Sequence, residues 1–193
     1  MKIRTVLLSL MLFANSSWAI TEFKIDKDSS MVEFLAIGKP SALKIRGTNG
    51  KPEGKLIVNG SQFDGEITLD LSQLETGMGL RDKHMKDKYL EIEKPEFKVS
   101  KLKIESLQVD QKFWQNPTKQ KTNFKGRMKL HGVEKVVAGD VEFTEASKES
   151  LAGLARFTLQ LPEYGIAIPS FSGITVAEKV DVEVNFKGKL VSQ

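Results

Sequence analysis

The chain holds two histidines, His84 and His131, and no cysteine. Histidine is the side chain whose ordinary charge change falls near neutral pH, so these two are the first places to look for acid–base chemistry. His84 lies between Asp82 and Asp87, and His131 precedes Gly132 in a tight turn. Three carboxylates, Glu91, Glu93 and Glu96, surround Pro95, and Ser170 and Ser172 flank Phe171. Paired carboxylates work as acid and base when their environments differ. A serine nucleophile needs a base and a strained elbow to expose it. The spacings supply neither. The glutamates alternate with Ile92 and Lys94 as a solvated face does. Neither serine sits in a G-x-S-x-G elbow, and two histidines without an HExxH spacing argue against a zinc site. We therefore expect no catalytic residue, no metal and no cofactor. His131 is expected to hold its turn. His84 is read either as a helix-surface or capping residue or as a contact to a ligand head group.

The elements that would carry such groups are mostly strands. From Val180, the residues Val180, Val182, Val184, Phe186 and Leu190 fall on one side and Asp181, Glu183, Asn185, Lys187 and Lys189 on the other, with Gly188 the one gap. Successive side chains on a strand point to opposite faces, so this segment divides a dry face from a wet one. Thr122 to Leu130 repeats the pattern: Phe124, Gly126, Met128 and Leu130 alternate with Asn123, Lys125, Arg127 and Lys129. Further strands are expected at Phe23 to Asp26, Met31 to Ile37, Ala42 to Arg46, Gly54 to Val58, Phe63 to Leu71, Val136 to Phe143 and Ala155 to Leu161. Gly38-Lys39-Pro40 should break the chain, and Asn59-Gly60 should make a hairpin. Phe97 to Ile104 reads as a strand whose two halves are out of phase, which a bulge near Ser100 would repair. Gln111 to Lys121, with Asn116-Pro117, reads as an exposed loop.

One helix is expected, Leu80 to Leu90, rich in strong helix formers and followed by Pro95. Leu80, His84 and Asp87 share one side, and Arg81, Met85 and Tyr89 another.

The first 19 residues read as a secretory leader. Lys2 and Arg4 make a positive start, Val6 to Ala14 is a short apolar run, and Ser17-Trp18-Ala19 offers a cleavage site. The expected organisation is thus a leader at 1–19 and one domain at 20–193, exported to the periplasm of a Gram-negative source. Without Lys2 and Arg4 the chain keeps 27 basic and 25 acidic residues, net +2, too even to suggest nucleic acid. Many short strands with turns between them indicate a sandwich or a barrel, and closing the sheet removes its edges. Periodicity alone cannot choose between a filled core and a ligand cavity, and such stripes are usually ordinary core.

Several blocks carry a family resemblance. Leu80-Arg-Asp-Lys-His-Met, Tyr89-Leu-Glu and Lys94-Pro-Glu-Phe97 resemble the YceI family of lipocalin-like, polyisoprenoid-binding periplasmic proteins. Asp26-Lys-Asp-Ser-Ser-Met-Val-Glu-Phe34, Lys129-Leu-His-Gly-Val-Glu-Lys-Val136, Leu161-Pro-Glu-Tyr-Gly-Ile166 and Val176-Ala-Glu-Lys-Val180 are similar to its opening strand, central hairpin and closing segment. The resemblance implies an all-β fold, an extended antiparallel lipocalin-like barrel of about eight strands with one short helix. It implies an isoprenoid lipid as the bound ligand and partner, and it leaves room for a homodimer and for transient membrane contact. On that basis Phe34, Ile67, Leu69, Phe97, Phe124, Met128, Phe143, Phe157, Val182, Val184 and Phe186 are expected to line the lumen. Arg81, His84, Met85 and Tyr89 are expected at its mouth, where a polar head would sit.

Overall fold

A computed structural model describes residues 21–39, 43–114, 119–171 and 173–192. The expected leader, Pro40, Ala42, Asn116-Pro117 and Ser172 lie outside them. The strands are β1 (Thr21–Ile25), β2 (Met31–Lys39), β3 (Leu43–Gly50), β4 (Glu53–Asn59), β5 (Gln62–Asp70), β6 (Val99–Leu107), β7 (Gln120–Leu130), β8 (Val133–Ala146), β9 (Ser150–Gln160), β10 (Ser170–Phe171) and β11 (Ile174–Ser192). Among the described residues, β1, β4, β5, β6, β7, β8, β9 and β11 close a ring of eight antiparallel strands. The expected all-β barrel is therefore observed.

β11 sets the barrel's length. Its first half pairs with β2 and its end with β1, so β1 and β2 act as one interrupted strand along its edge. At the interruption Asp26 caps a turn, accepting from the Ser29 hydroxyl at 3.0 Å and the Asp28 amide at 3.1 Å. Ser30, 1% exposed, then fills the break in the ladder. Its hydroxyl accepts the Lys187 N–H at 3.0 Å and donates to the Lys187 carbonyl at 3.2 Å. β3 pairs with β2 on one side, and on its other edge makes a lone bridge, Thr48 to Glu75.

The wet and dry faces follow the alternation. On β7, Phe124, Gly126, Met128 and Leu130 are buried and Asn123, Lys125, Arg127 and Lys129 exposed. The gap at Gly188 has a steric cause. A Cβ there would stand 2.3 Å from the Lys24 carbonyl oxygen and 2.6 Å from the Phe23 ring, so the Phe23 ring takes the side chain's place. The β7–β8 hairpin turns on His131 and Gly132, both at positive φ (49° and 76°), as a two-residue loop with the native twist requires. At the β4–β5 hairpin, of the pair Asn59-Gly60 the glycine alone takes positive φ.

Three expectations need correction. The helix is not uniform: α1 (Gly79–His84) runs into a π-turn over Met85–Tyr89, closed by the Leu90 N–H on the Met85 carbonyl at 2.9 Å. Pro95 opens a second short helix, α2 (Pro95–Lys98), so Phe97 lies before β6 and not in it. Proline suits the first helical position because its missing N–H has no partner there anyway. β6 then needs no bulge at Ser100. Ser100 and Ile104 are buried and Leu102 half-buried, and the register shift falls between Ile104 and Ser106, returning Leu107 inward. Finally, the expected loop after Asp110 forms a 3₁₀ turn at Gln111–Trp114 and buries Phe113 to 3% exposure.

Candidate functional site

The barrel encloses a cavity of about 570 Å³, within the range of small-molecule sites. Its closed end is aromatic. Phe63 stacks on Trp114 (6.1 Å between centroids), Phe143 meets Phe63, Phe113 and Phe186 at 5.9, 5.2 and 5.9 Å, and Phe23 meets Phe186 edge-on at 6.1 Å. The Trp114 indole N–H is satisfied by the Gly60 carbonyl at 2.9 Å. Sequence reading missed this plug. Its signal was the Phe-Trp pair at 113–114 inside an otherwise polar stretch.

The wall carries Phe34 from β2, Ile67 and Leu69 from β5, Phe124 and Met128 from β7, Phe157 from β9, and Val182, Val184 and Phe186 from β11. With Phe143 from β8, the strand residues expected to share a lumen are thus brought together around one space. Phe97 is the exception. Its ring lies 4.1 Å from that of His131 and covers Gly132, outside the cavity lining. The α2 turn moves it off the phase of β6, and Ser100, Leu102 and Ile104 line the cavity instead.

The other end is covered by residues 75–98. Leu80, Arg81, His84, Met85, Tyr89 and Leu90 all reach the cavity. Positions 80, 81, 84 and 85 are neighbours on one face of an ordinary helix, so both expected stripes meet the mouth there, and the π-turn that follows ends with Tyr89 and Leu90 at the cavity as well. Asp87 remains exposed. Such turns are frequent at functional sites.

A polar network braces this cover from within, and a hydrogen bond ties it to β10. Arg81 Nε donates to the Thr76 hydroxyl at 2.7 Å and Nη2 to the Thr76 carbonyl at 2.5 Å. The Thr76 N–H and hydroxyl in turn donate to Asp82. The Tyr89 hydroxyl accepts the Ser170 N–H at 3.3 Å, tying the π-turn to β10. His131 binds outside: Nδ1 lies 3.2 Å from the Tyr164 carbonyl and Nε2 lies 2.9 Å from Glu91. His131 is thus more than a turn residue. Glu91 also takes a bond from Lys94 at 2.7 Å. The Lys94 and His131 bonds, in that order, hold the Glu91 carboxyl below its ordinary range. Glu93 and Glu96 face solvent, as the alternation suggests. Burial, with Glu163 nearby, pushes the Tyr164 phenol up to about 12, so it stays protonated in the packed core.

Among the described residues no group of three or more His, Asp or Glu side chains could hold a metal ion, and no buried side-chain nitrogen or oxygen lacks a partner. The arrangement can take up an elongated apolar body, with polar groups gathered at one end.

A family model of the YceI-like domain matches residues 23–188. Among solved structures, a polyisoprenoid binding domain from Saccharophagus degradans implicated in plant cell wall breakdown aligns with a TM-score of 0.68 at 14% identity, covering 86% of this chain and 97% of that one. BcnA of Burkholderia cenocepacia aligns at 0.67 and 13% identity, covering 84% and 98%. The YCEI protein of Campylobacter jejuni aligns at 0.54 and 15%, covering 73% and 84%. At such identities these neighbours share the fold. A search of curated proteins found no match.

Proposed function

This chain belongs to the YceI-like domain family, and on that premise we propose that it binds and carries an amphipathic isoprenoid lipid of polyprenyl or quinone type. The tail lies in the lumen and the polar head at the mouth, near Arg81, His84 and Tyr89. The observation that carries the reading is the cavity itself: about 570 Å³, apolar along its walls, with its polar side chains concentrated at one end. The polyisoprenoid-binding neighbour supports the cargo class.

The energetics favour such a container. Burying one CH₂ is worth roughly 0.8 kcal/mol, so a five-carbon isoprene unit is worth about 4 kcal/mol. Several units in series hold a lipid in its bilayer, and a soluble carrier must offer comparable apolar area. The role is binding rather than catalysis. Of the polar side chains at the mouth, Arg81 and Asp82 are bonded to Thr76 within the cover, and Tyr89 ties the cover to β10.

The same reading has the chain exported to the periplasm after cleavage behind Ala19, motivated by Lys2, Arg4 and Ser17-Trp18-Ala19. An intact mass beginning at Ile20 supports this, and full-length chain in the membrane fraction would contradict it.

The binding test is direct. Delipidated protein is incubated with a detergent-solubilised polyprenol and passed through a sizing column. Retention of one polyprenol per cavity is expected. A protein that emerges empty would instead favour a filled barrel acting as an interaction module.

A further inference from the structure

Six large apolar side chains are conspicuously exposed among the described residues: Leu43, Met78, Leu80, Val99, Val136 and Val191. The three valines are scattered, as single exposed apolar residues commonly are. Leu43, Met78 and Leu80 are different, because all three also line the cavity. Met78 is 58% and Leu80 59% exposed, so the apolar lining runs out onto the surface there. The tip that carries them is Gly77-Met78-Gly79-Leu80, exposed throughout. A Cβ added at Gly77 or Gly79 would meet nothing within 4 Å, so this loop projects from the barrel. Leu43, at the start of β3, is the third side chain that both lines the cavity and meets solvent.

The flanks are basic. Lys83 and Lys88 are exposed on the cover, with the Lys88 ammonium 5.4 Å from the centre of the Tyr89 ring. Lys39 and Lys44 are exposed at the ends of β2 and β3. Over the whole cover, 75–98, six basic and six acidic residues balance, but the stretch behind the tip, 81–88, carries Arg81, Lys83, Lys86 and Lys88 against Asp82 and Asp87, and Asp82 is held by Thr76. Projecting apolar side chains ringed by lysine are what an interface-seeking surface needs, since the apolar tips enter the acyl boundary while lysines meet anionic head groups.

We propose that this lip is a docking surface for an anionic lipid bilayer, seated with Met78, Leu80 and Leu43 in the membrane, so that a lipid tail passes between membrane and lumen along apolar surface. The proposal rests on the carrier reading for its purpose but not for its test.

The test is flotation with phosphatidylcholine vesicles, with and without phosphatidylglycerol. The protein should float with the mixed vesicles, float less with the neutral ones and release as salt rises. Met78→Ser/Leu80→Ser should weaken flotation by about tenfold or more, whereas Val136→Ser should not change it. Thermal melts confirm that each variant is folded, which the exposure of these sites favours. Absence of flotation, or flotation undiminished in the double variant, would overturn the docking proposal. So would a dimer in sedimentation that the double variant dissociates, since the lip would then belong to a second copy. Polyprenol loading of the unaltered protein from detergent is scored separately. Loading without flotation overturns docking and leaves the carrier standing, whereas flotation without loading leaves docking standing and overturns the carrier.

Discussion

The Ser30 hydroxyl and the Lys187 backbone exchange two hydrogen bonds, at 3.0 and 3.2 Å, at the point where the first strand of the barrel breaks in two. Ser30 stands in for a backbone acceptor: its hydroxyl takes the Lys187 N–H, while the Lys187 carbonyl, to which it also donates, keeps the Asp26 N–H at 2.8 Å. Ser30→Ala should therefore cost about 1–3 kcal/mol, the usual penalty for leaving one buried group, here the Lys187 N–H, unpaired. Urea midpoints measure it. A midpoint equal to that of the native chain would mean that water reaches Lys187 at the break.

The latch between Glu91 and His131 gives a pH signature. The Glu91 carboxyl lies below its ordinary range, through the bonds from Lys94 and His131. A depressed carboxyl contributes stability above its unfolded value, and the contribution is lost as pH falls through the folded one. The native chain should thus lose more stability than Glu91→Gln between neutral pH and the acid side of the glutamate range. The difference should be small, because the site is partly solvated. Parallel thermal midpoints for the two across that window would show that the latch adds nothing.

Register on β11 is tested by a reversed pair of substitutions. Val184→Asp places an unpaired carboxylate in the apolar lumen and should cost several kcal/mol, on the order of 3–5. Glu183→Val removes an outer-face pair, with Arg156 at 3.0 Å. Surface pairs of this kind contribute about 0–1 kcal/mol. Comparable urea midpoints for the two variants would contradict the inward and outward assignment.

That pair also marks how far the sequence could be read. Strict alternation identified β7, β9 and β11 and their inward residues, because a one-residue slip would turn each set outward. Where the backbone departs from period two, the reading failed. Phe97 was assigned to the lumen because a helical turn beginning at Pro95 looks, residue by residue, like an out-of-phase strand. Ser30 was unreadable because its role depends on Lys187, 157 positions away. The Phe113–Trp114 plug was hidden by polar neighbours. Arg81, His84, Met85 and Tyr89 are expected at the mouth and line it; the π-turn over Met85–Tyr89 leaves no compositional trace.

Met128 separates cavity from core at one position. It lies mid-wall, in phase with Phe124 and Leu130, and lines the cavity. In a packed core, Met128→Trp would be overpacked and lose about 1–3 kcal/mol. Here the indole should occupy lumen volume, so the thermal midpoint should hold or rise while bound lipid falls. A clear loss of stability with unchanged lipid would place Met128 in packed core.

The central claim is that the lumen holds a lipid, and native mass spectrometry of protein purified from its own host without detergent tests it most directly. The account predicts a non-covalent adduct of several hundred daltons, released by organic solvent and identifiable as an isoprenoid. The mass of the polypeptide alone, with no apolar compound in the organic extract, would contradict it.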